Sequence, residues 1–262
     1  MIEFRNVSCQ FTHAAGGEIK ALNDVSISIP DGQFLCLLGR SGHGKSTFVR
    51  ALAGLQSLST GEILVGGAKV KGPGFDRGMV FQEDSVFPWL SVRENVEFGL
   101  KARGIPKGRR YKIAMQWLSA VGLAGFADSW PRQLSGGMRK RVAIATVFAN
   151  DAPVLLMDEP FGPLDYVTRR DLQDLLIRLW QKTKKTIIFV THDIEEALLM
   201  ADRVLMVRTG RIAEDIFMED LPRPRDEDVR ASPAAVEVTK MIQKHLALNP
   251  DWHSNEPTAL VS

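Results

Sequence analysis

Gly39-Arg40-Ser41-Gly42-His43-Gly44-Lys45-Ser46-Thr47 has the residue types and spacing to hold phosphate. Its glycines let the chain turn so that successive backbone amides aim at phosphate oxygens, and the helix such a loop opens adds positive potential at its start. In this pattern Lys45 bridges the β- and γ-phosphates of a nucleotide and Ser46 holds Mg²⁺. His43 stands where many residue types are tolerated and is given no catalytic role. A second stretch, Val154-Leu155-Leu156-Met157-Asp158-Glu159-Pro160, is an apolar run ending in two carboxylates. Adjacent acids at a strand end can divide the work: Asp158 holds a metal ion through water, and Glu159 polarises the water that attacks the γ-phosphate. A third stretch, Ser135-Gly136-Gly137, stands between Leu134 and Met138 ahead of a helical run. Ser135 is a good N-cap, and paired glycines let backbone amides come close to a phosphate. One chain that offers two such anion-seeking helix starts invites a partner.

Each group needs an element to aim it. Phe34 to Leu38 is a continuous apolar run, as a strand buried on both faces requires, and it leads through the glycine loop into a helix ending near Ala53. Val154 to Met157 reads as another buried strand, and Met138 to Phe148 as the helix after the Ser135 turn. Strand character also marks Ile2 to Phe11, Val25 to Ile29, Ile63 to Val65, Met79 to Phe81, Ile187 to Val190 and Val204 to Val207, with a turn over Ala14 to Gly17. Helical patterns mark Val92 to Leu100, Arg110 to Val121, Tyr166 to Thr183 and Ile194 to Ala201. This order predicts a nucleotide-binding α/β core with a helical insertion over about 87–150. Leu221 to Arg230 is rich in proline and charge and reads as a boundary. Beyond it Pro233 to Leu248 reads as one more helix and Asn249 to Ser262 as a mobile tail. The chain thus divides into a domain over 1–225 and an appendage over 226–262.

Composition narrows the class. The 262 residues are 45% hydrophobic and 24% charged, ordinary for a globular protein with a real core. Thirty-three basic residues against 31 acidic ones leave a formal charge of +2, no case for a nucleic-acid partner. Cys9 and Cys36 suggest neither a disulfide framework nor a metal site, which fits a reducing compartment. Met1 to Asn6 carries Glu3 and Arg5 and no long apolar core, so no leader is expected. No stretch approaches the ~18–20 apolar residues that span a bilayer. A role at a membrane would need another protein to hold the chain there.

Together these motifs resemble the ATP-binding subunits of ATP-binding cassette transporters, over about Met1 to Arg225. The resemblance implies an α/β fold: a P-loop NTPase core with an N-terminal antiparallel β subdomain and an inserted α-helical subdomain. It implies ATP and Mg²⁺ as ligands. Leu134-Ser135-Gly136-Gly137-Met138 looks like the family signature, with Met138 where glutamine is commonest. In the family this turn completes the ATP site of the opposite subunit, so two chains sandwich two ATPs. Gln82 resembles the glutamine that touches Mg²⁺ and the attacking water and reports to the membrane subunit. His192, in Thr191-His192-Asp193, resembles the switch histidine on the γ-phosphate. Asp165 resembles the aspartate of the dimer interface, and a plain helix-start acid would serve as well. Phe11 resembles the aromatic stacked on adenine; a core role for Phe11, with Phe4 as a competitor, stays open.

The Val86 to Val92 stretch, Met157 to Pro163 and Leu221-Pro222-Arg223-Pro224-Arg225 are similar to the nitrate, sulfonate and taurine importer group. Gly162-Pro163 departs from its commoner Gly-Ala, and Thr146 replaces a usual arginine. The resemblance implies a second cassette, with a homodimer expected, transmembrane permease subunits, and a solute-binding protein acting indirectly. The chain would then sit in the cytoplasm, on the inner face of the membrane. Phe87 and Trp89 either anchor a permease helix in a groove or fill the helical core. Arg139-Lys140-Arg141 reads as a solvated helix face with interface charges.

Overall fold

The computed structural model describes residues 1–13, 17–82, 86–223, 225 and 227–247. The elements run β1 (Ile2–His13), β2 (Gly17–Ile29), β3 (Phe34–Leu38), α1 (Lys45–Ala53), β4 (Thr60–Val65), β5 (Ala68–Lys69), β6 (Arg77–Val80), α2 (Val92–Ala102), α3 (Lys107–Ala120) and α4 (Gly136–Ala149). They continue with β7 (Val154–Asp158), α5 (Tyr166–Thr183), β8 (Thr186–Thr191), α6 (Ile194–Met200), β9 (Arg203–Arg208), β10 (Arg211–Phe217), α7 (Glu227–Arg230) and α8 (Pro233–Ala247). The turn expected at Ala14 to Gly17 lies mostly outside the described residues, as does the segment Asn249 to Ser262.

The strands form two sheets. One is antiparallel, in the order β2-β1-β4-β5; the other has six strands, in the order β10-β9-β3-β8-β7-β6, parallel except for β10. The six-stranded sheet sorts its side chains by alternation. Phe34, Cys36, Leu155, Met157, Ile187 and Phe189 enter one core, against α4, α5 and α6. Leu35, Leu37, Val154, Leu156, Ile188 and Val190 enter the other, with Phe48 and Leu52 of α1 and the antiparallel sheet. Burial on both faces explains the unbroken apolar runs of β3, β7 and β8. It also sets the loops that follow these three strands side by side at one sheet edge, where open α/β sheets bind ligands.

Several boundaries differ from the sequence expectation for local reasons. Helix α4 starts at Gly136 rather than Met138, because Ser135 caps it: its side chain accepts from Met138 N at 3.2 Å. Strand β10 was not visible in the pattern. It is a charged edge strand, joined to β9 through Thr209 and Gly210, both at positive φ. Within the stretch that reads as a boundary, two arginines are held by hydrogen bonds. Arg225 is buried and donates to the carbonyls of Leu198, Ala201 and Leu221, and Arg223 pairs with Asp202 and lies over the Trp180 ring at 4.7 Å. Both guanidiniums hold the end of α6.

Candidate nucleotide site

The loop from Gly39 to Gly44 joins the end of β3 to α1. Gly44 sits at φ 100°, and a Cβ there would lie 2.1 Å from the Ala21 carbonyl oxygen, so neither the backbone nor the space admits another residue. Gly39 passes equally close to Val207, where a Cβ would meet the carbonyl oxygen at 2.3 Å. No side chain caps the first amides of α1, which are left as donors facing the loop. Lys45 is 4% exposed. Its ammonium donates to the carbonyls of Gly39 at 2.7 Å and Arg40 at 2.9 Å. Burial pulls its pKa below the usual lysine range, against the opposing pull of Glu159 and Asp158. Ser41, Gly42, Gly44, Lys45, Ser46 and Thr47 line an open polar pocket with Ala21, Gln82 and Glu159. His43 and Arg40 instead line a small cleft with Met206 and His245, between β9 and α8.

Asp158 ends β7, Glu159 follows it, and the two side chains diverge. Asp158 is 4% exposed and accepts from Ser46 Oγ at 3.0 Å. Burial raises its carboxyl above the ordinary range, opposed by the Ser46 bond. A buried carboxylate beside a hydroxyl is an all-oxygen donor pair that a hard cation would relieve, so Ser46 and Asp158 fit Mg²⁺. No group of three or more acid, histidine or cysteine side chains suited to a metal occurs among the described residues. Phosphate oxygens and water would have to complete such a site. Glu159 takes the other direction. Its Oε1 lies 3.8 Å from Lys45 Nζ and its Oε2 3.2 Å from His192 Nδ1. Its backbone is left-handed at φ 42°, held by a bond from its N–H to Val190 O at 3.2 Å.

Three further sequence candidates fall around this pocket. Gln82 follows β6 and lines the pocket beside Glu159. His192 follows β8 with its side chain 63% exposed. Phe11 pairs across the sheet with Ile19, two residues before the pocket residue Ala21, which is left unpaired by a bulge in β2. Phe11 and Ile19 are both exposed. Phe4 is no competitor: it is 2% exposed and stacked on Phe48 at 4.1 Å.

The Ser135 turn contributes nothing to this pocket's lining. It packs instead on the loop before α5: a Cβ on Gly137 would lie 2.5 Å from Thr168 Cγ2, and one on Gly136 3.6 Å from Leu164 Cδ2. Asp165, between those two neighbours, caps α5 by accepting from Thr168 N at 3.0 Å, which holds its carboxyl below the usual range. The helix-start role is therefore real. Trp89 is 68% exposed and Phe87 half-buried, with ring centroids 5.5 Å apart, so Trp89 does not fill the helical core.

Two buried charged residues near the site escaped the sequence reading. Lys140, in the run read as solvated, is 3% exposed. Glu196 is 7% exposed and accepts from Thr191 Oγ1 and from Gln173 Nε2 at 3.0 Å, while Thr191 Oγ1 accepts from Asp193 N at 3.0 Å. That chain of bonds braces the backbone on both sides of His192. Its only sequence signal is a glutamate in the first turn of a helix, which is usually solvated.

Residues 22–162 match the family described as ABC transporter. The chain is 50% identical to an uncharacterized ABC transporter ATP-binding protein of Methanocaldococcus jannaschii, over 80% of this chain and 79% of that one. It is 45% identical to a nitrate import ATP-binding protein of Synechocystis, over 83% and 84% of the two chains. A taurine import ATP-binding protein of Rhizobium johnstonii is 42% identical over 97% of this chain and 99% of its own. Among solved structures, a dimeric bacterial ABC transporter cassette superposes with a TM-score of 0.75 at 32% identity, over 84% of this chain and 99% of that one. A dimeric post-hydrolysis cassette bound to ADP and Pi gives 0.73 at 31% identity, with the same coverage.

Proposed function

This chain belongs to the ABC transporter family, as an ATP-hydrolysing cassette of an importer, and on that premise we propose how its residues divide the work and what it helps to carry. The observation behind the reading is the position of Glu159, whose carboxylate reaches both Lys45 and His192.

ATP is the substrate. The Gly39 to Thr47 amides and Lys45 bind its phosphates, and Phe11 offers a flat apolar face to adenine. Ser46 and Asp158 hold Mg²⁺, with Gln82 at the same pocket; the ion supplies neutralisation of phosphate charge. Glu159 draws the proton from a water whose oxygen attacks the γ-phosphorus, and the bond to the bridging oxygen of ADP breaks. His192 steadies Glu159 on one side and donates to the γ-phosphate on the other. The Ser135-Gly136-Gly137 turn lies outside its own pocket, which supports its use on the nucleotide of a second cassette, with Asp165 at the interface between them.

A homodimer that closes on ATP and opens after hydrolysis would drive paired permease subunits between two forms. No described helix is long and apolar enough to cross a membrane; in this reading the permease subunits hold the chain at the inner face. The exposed Trp89, with Phe87 and Phe98 beside it, is the surface we assign to a permease helix. The cassette spans 1–225 and 226–262 is an appendage. The cargo is a small solute, an anion such as nitrate, sulfonate or taurine, delivered by a binding protein.

The test is to co-purify the chain with a multi-span membrane partner and measure ATP hydrolysis in vesicles. Stimulation by binding protein loaded with a small anion is expected. Stable association with ribosomes or DNA in place of a membrane partner, or stimulation only by a lipid or exported compound, would overturn the reading.

A further inference from the structure

Three consecutive basic residues on a helix point about 100° apart, so they cannot all share one solvated face. Arg139 donates to Leu134 O at 2.8 Å and Arg141 to Val121 O at 3.2 Å, both within the helical insertion. Lys140 turns inward and crosses to the nucleotide-binding core. Its ammonium donates to the backbone carbonyls of Gln82 at 2.7 Å and Phe81 at 3.4 Å. A lysine that is 3% exposed gives up most of its hydration, so these carbonyls are part of what makes its burial tolerable. A flexible ammonium with three donors suits two carbonyls at once.

The placement matters because of what lies at each end. Lys140 sits on α4, the helix that Ser135 caps, five positions beyond the cap. Gln82 lines the pocket of Lys45 and Glu159. A single rigid helix therefore connects the turn that leaves this chain's own pocket to the backbone of a residue that enters it. We propose that Lys140 is a positioning residue that couples two ATP sites through one chain: engagement of the Ser135 turn by the partner's nucleotide moves α4, and Lys140 carries the Gln82 backbone with it. The inference rests on the reading of Ser135 and Gln82 given above.

The test uses the full chain: ATP hydrolysis against ATP concentration for wild type, Lys140→Met, Lys140→Gln and Ser135→Arg. Wild type should respond sigmoidally, since closure needs both sites. Lys140→Met should bind a fluorescent ATP analogue within about twofold of wild type, because Lys140 does not line the pocket, yet lose about tenfold in kcat and its sigmoidal response. Lys140→Gln, whose amide keeps two donors, should recover most of both. Wild-type kcat and sigmoidal response in Lys140→Met, with Ser135→Arg inactive, would overturn the inference alone. A lower kcat with unchanged sigmoidal response would overturn the coupling and leave Lys140 a local brace. Undiminished turnover in Ser135→Arg would overturn the two-chain reading and the inference with it. Should Lys140→Met fail to fold, hydrogen exchange decides. ATP-dependent protection of the peptide that contains Gln82 should be lost in Ser135→Arg, and its retention there would overturn the coupling.

Discussion

Glu159 Oε2 lies 3.2 Å from His192 Nδ1, although the two residues follow different strands and are 33 positions apart. The pairing follows from the sheet: β7 and β8 are parallel neighbours in register, with Asp158 opposite Val190, so the residues just past them emerge side by side. The same carboxylate approaches Lys45 at the start of α1. Glu159 reaches both from a left-handed backbone at φ 42°, which costs a non-glycine residue about 1 kcal/mol. The strain sits where the proton transfer is assigned.

Glu159→Gln keeps the shape and removes the base. It should retain ATP binding, lower phosphate release by ~10²–10⁴-fold, and accumulate an ATP-bound dimer on size exclusion. Glu159→Gly should be equally inactive but lose little or no thermal stability, since it relieves the positive φ while giving up the contacts to Lys45 and His192. Normal turnover in Glu159→Gln would remove Glu159 from the base role.

The strands that carry this pair were legible because burial on both faces writes an unbroken apolar run, and the phosphate loop because its glycines are conformational necessities. The rest was hidden by the same physics in reverse. Strand β10 reads Arg-Ile-Ala-Glu-Asp-Ile-Phe because an edge strand exposes one face to water, so its apolar signal is halved. Phe4 and Phe11 could not be ranked, because a bulge in β1 at Asn6, with φ 49°, resets which face each later position takes. Lys140 and Glu196 were invisible because a buried charge is betrayed only by its partners, and Gln82 and Gln173 are far off in the sequence.

Gly137 is a steric requirement of helix packing, apart from the phosphate contact proposed for its turn. Gly137→Ala places a methyl 2.5 Å from Thr168 Cγ2 and should cost about 1–3 kcal/mol despite the better helix propensity of alanine. Thr168→Ser removes that Cγ2, so the double variant should regain most of the lost stability in thermal unfolding. Activity that stays low in the stabilised double variant would show that the turn needs glycine for its ligand as well.

Phe11 and Phe4 stand on one strand and should fail in different ways. Phe11→Ala should leave Tm within a few degrees and weaken ATP binding about tenfold, with Phe11→Trp close to wild type. Phe4→Ala empties the stack on Phe48 and should cost about 3–5 kcal/mol of stability. Nucleotide binding unchanged in Phe11→Ala would move the adenine contact elsewhere.

Glu196 should make stability fall as pH rises through the acid range. Burial raises its carboxyl above the usual value, against the bonds from Thr191 and Gln173 and the pull of Arg169, while Asp193 adds to the rise. Between the unfolded and the folded pKa the native chain holds a proton that the unfolded chain has released, so unfolding gains with each step up in pH across that window. Below the unfolded pKa both states are protonated and the penalty vanishes. Glu196→Gln can keep the bonds to Gln173 and Thr191 without the buried charge. Its Tm should therefore match wild type near pH 4 and exceed it by a few degrees at pH 8, at about 2–4 °C per kcal/mol for a chain of this size. A Tm difference that does not change between those two pH values would show that Glu196 is not the group responsible.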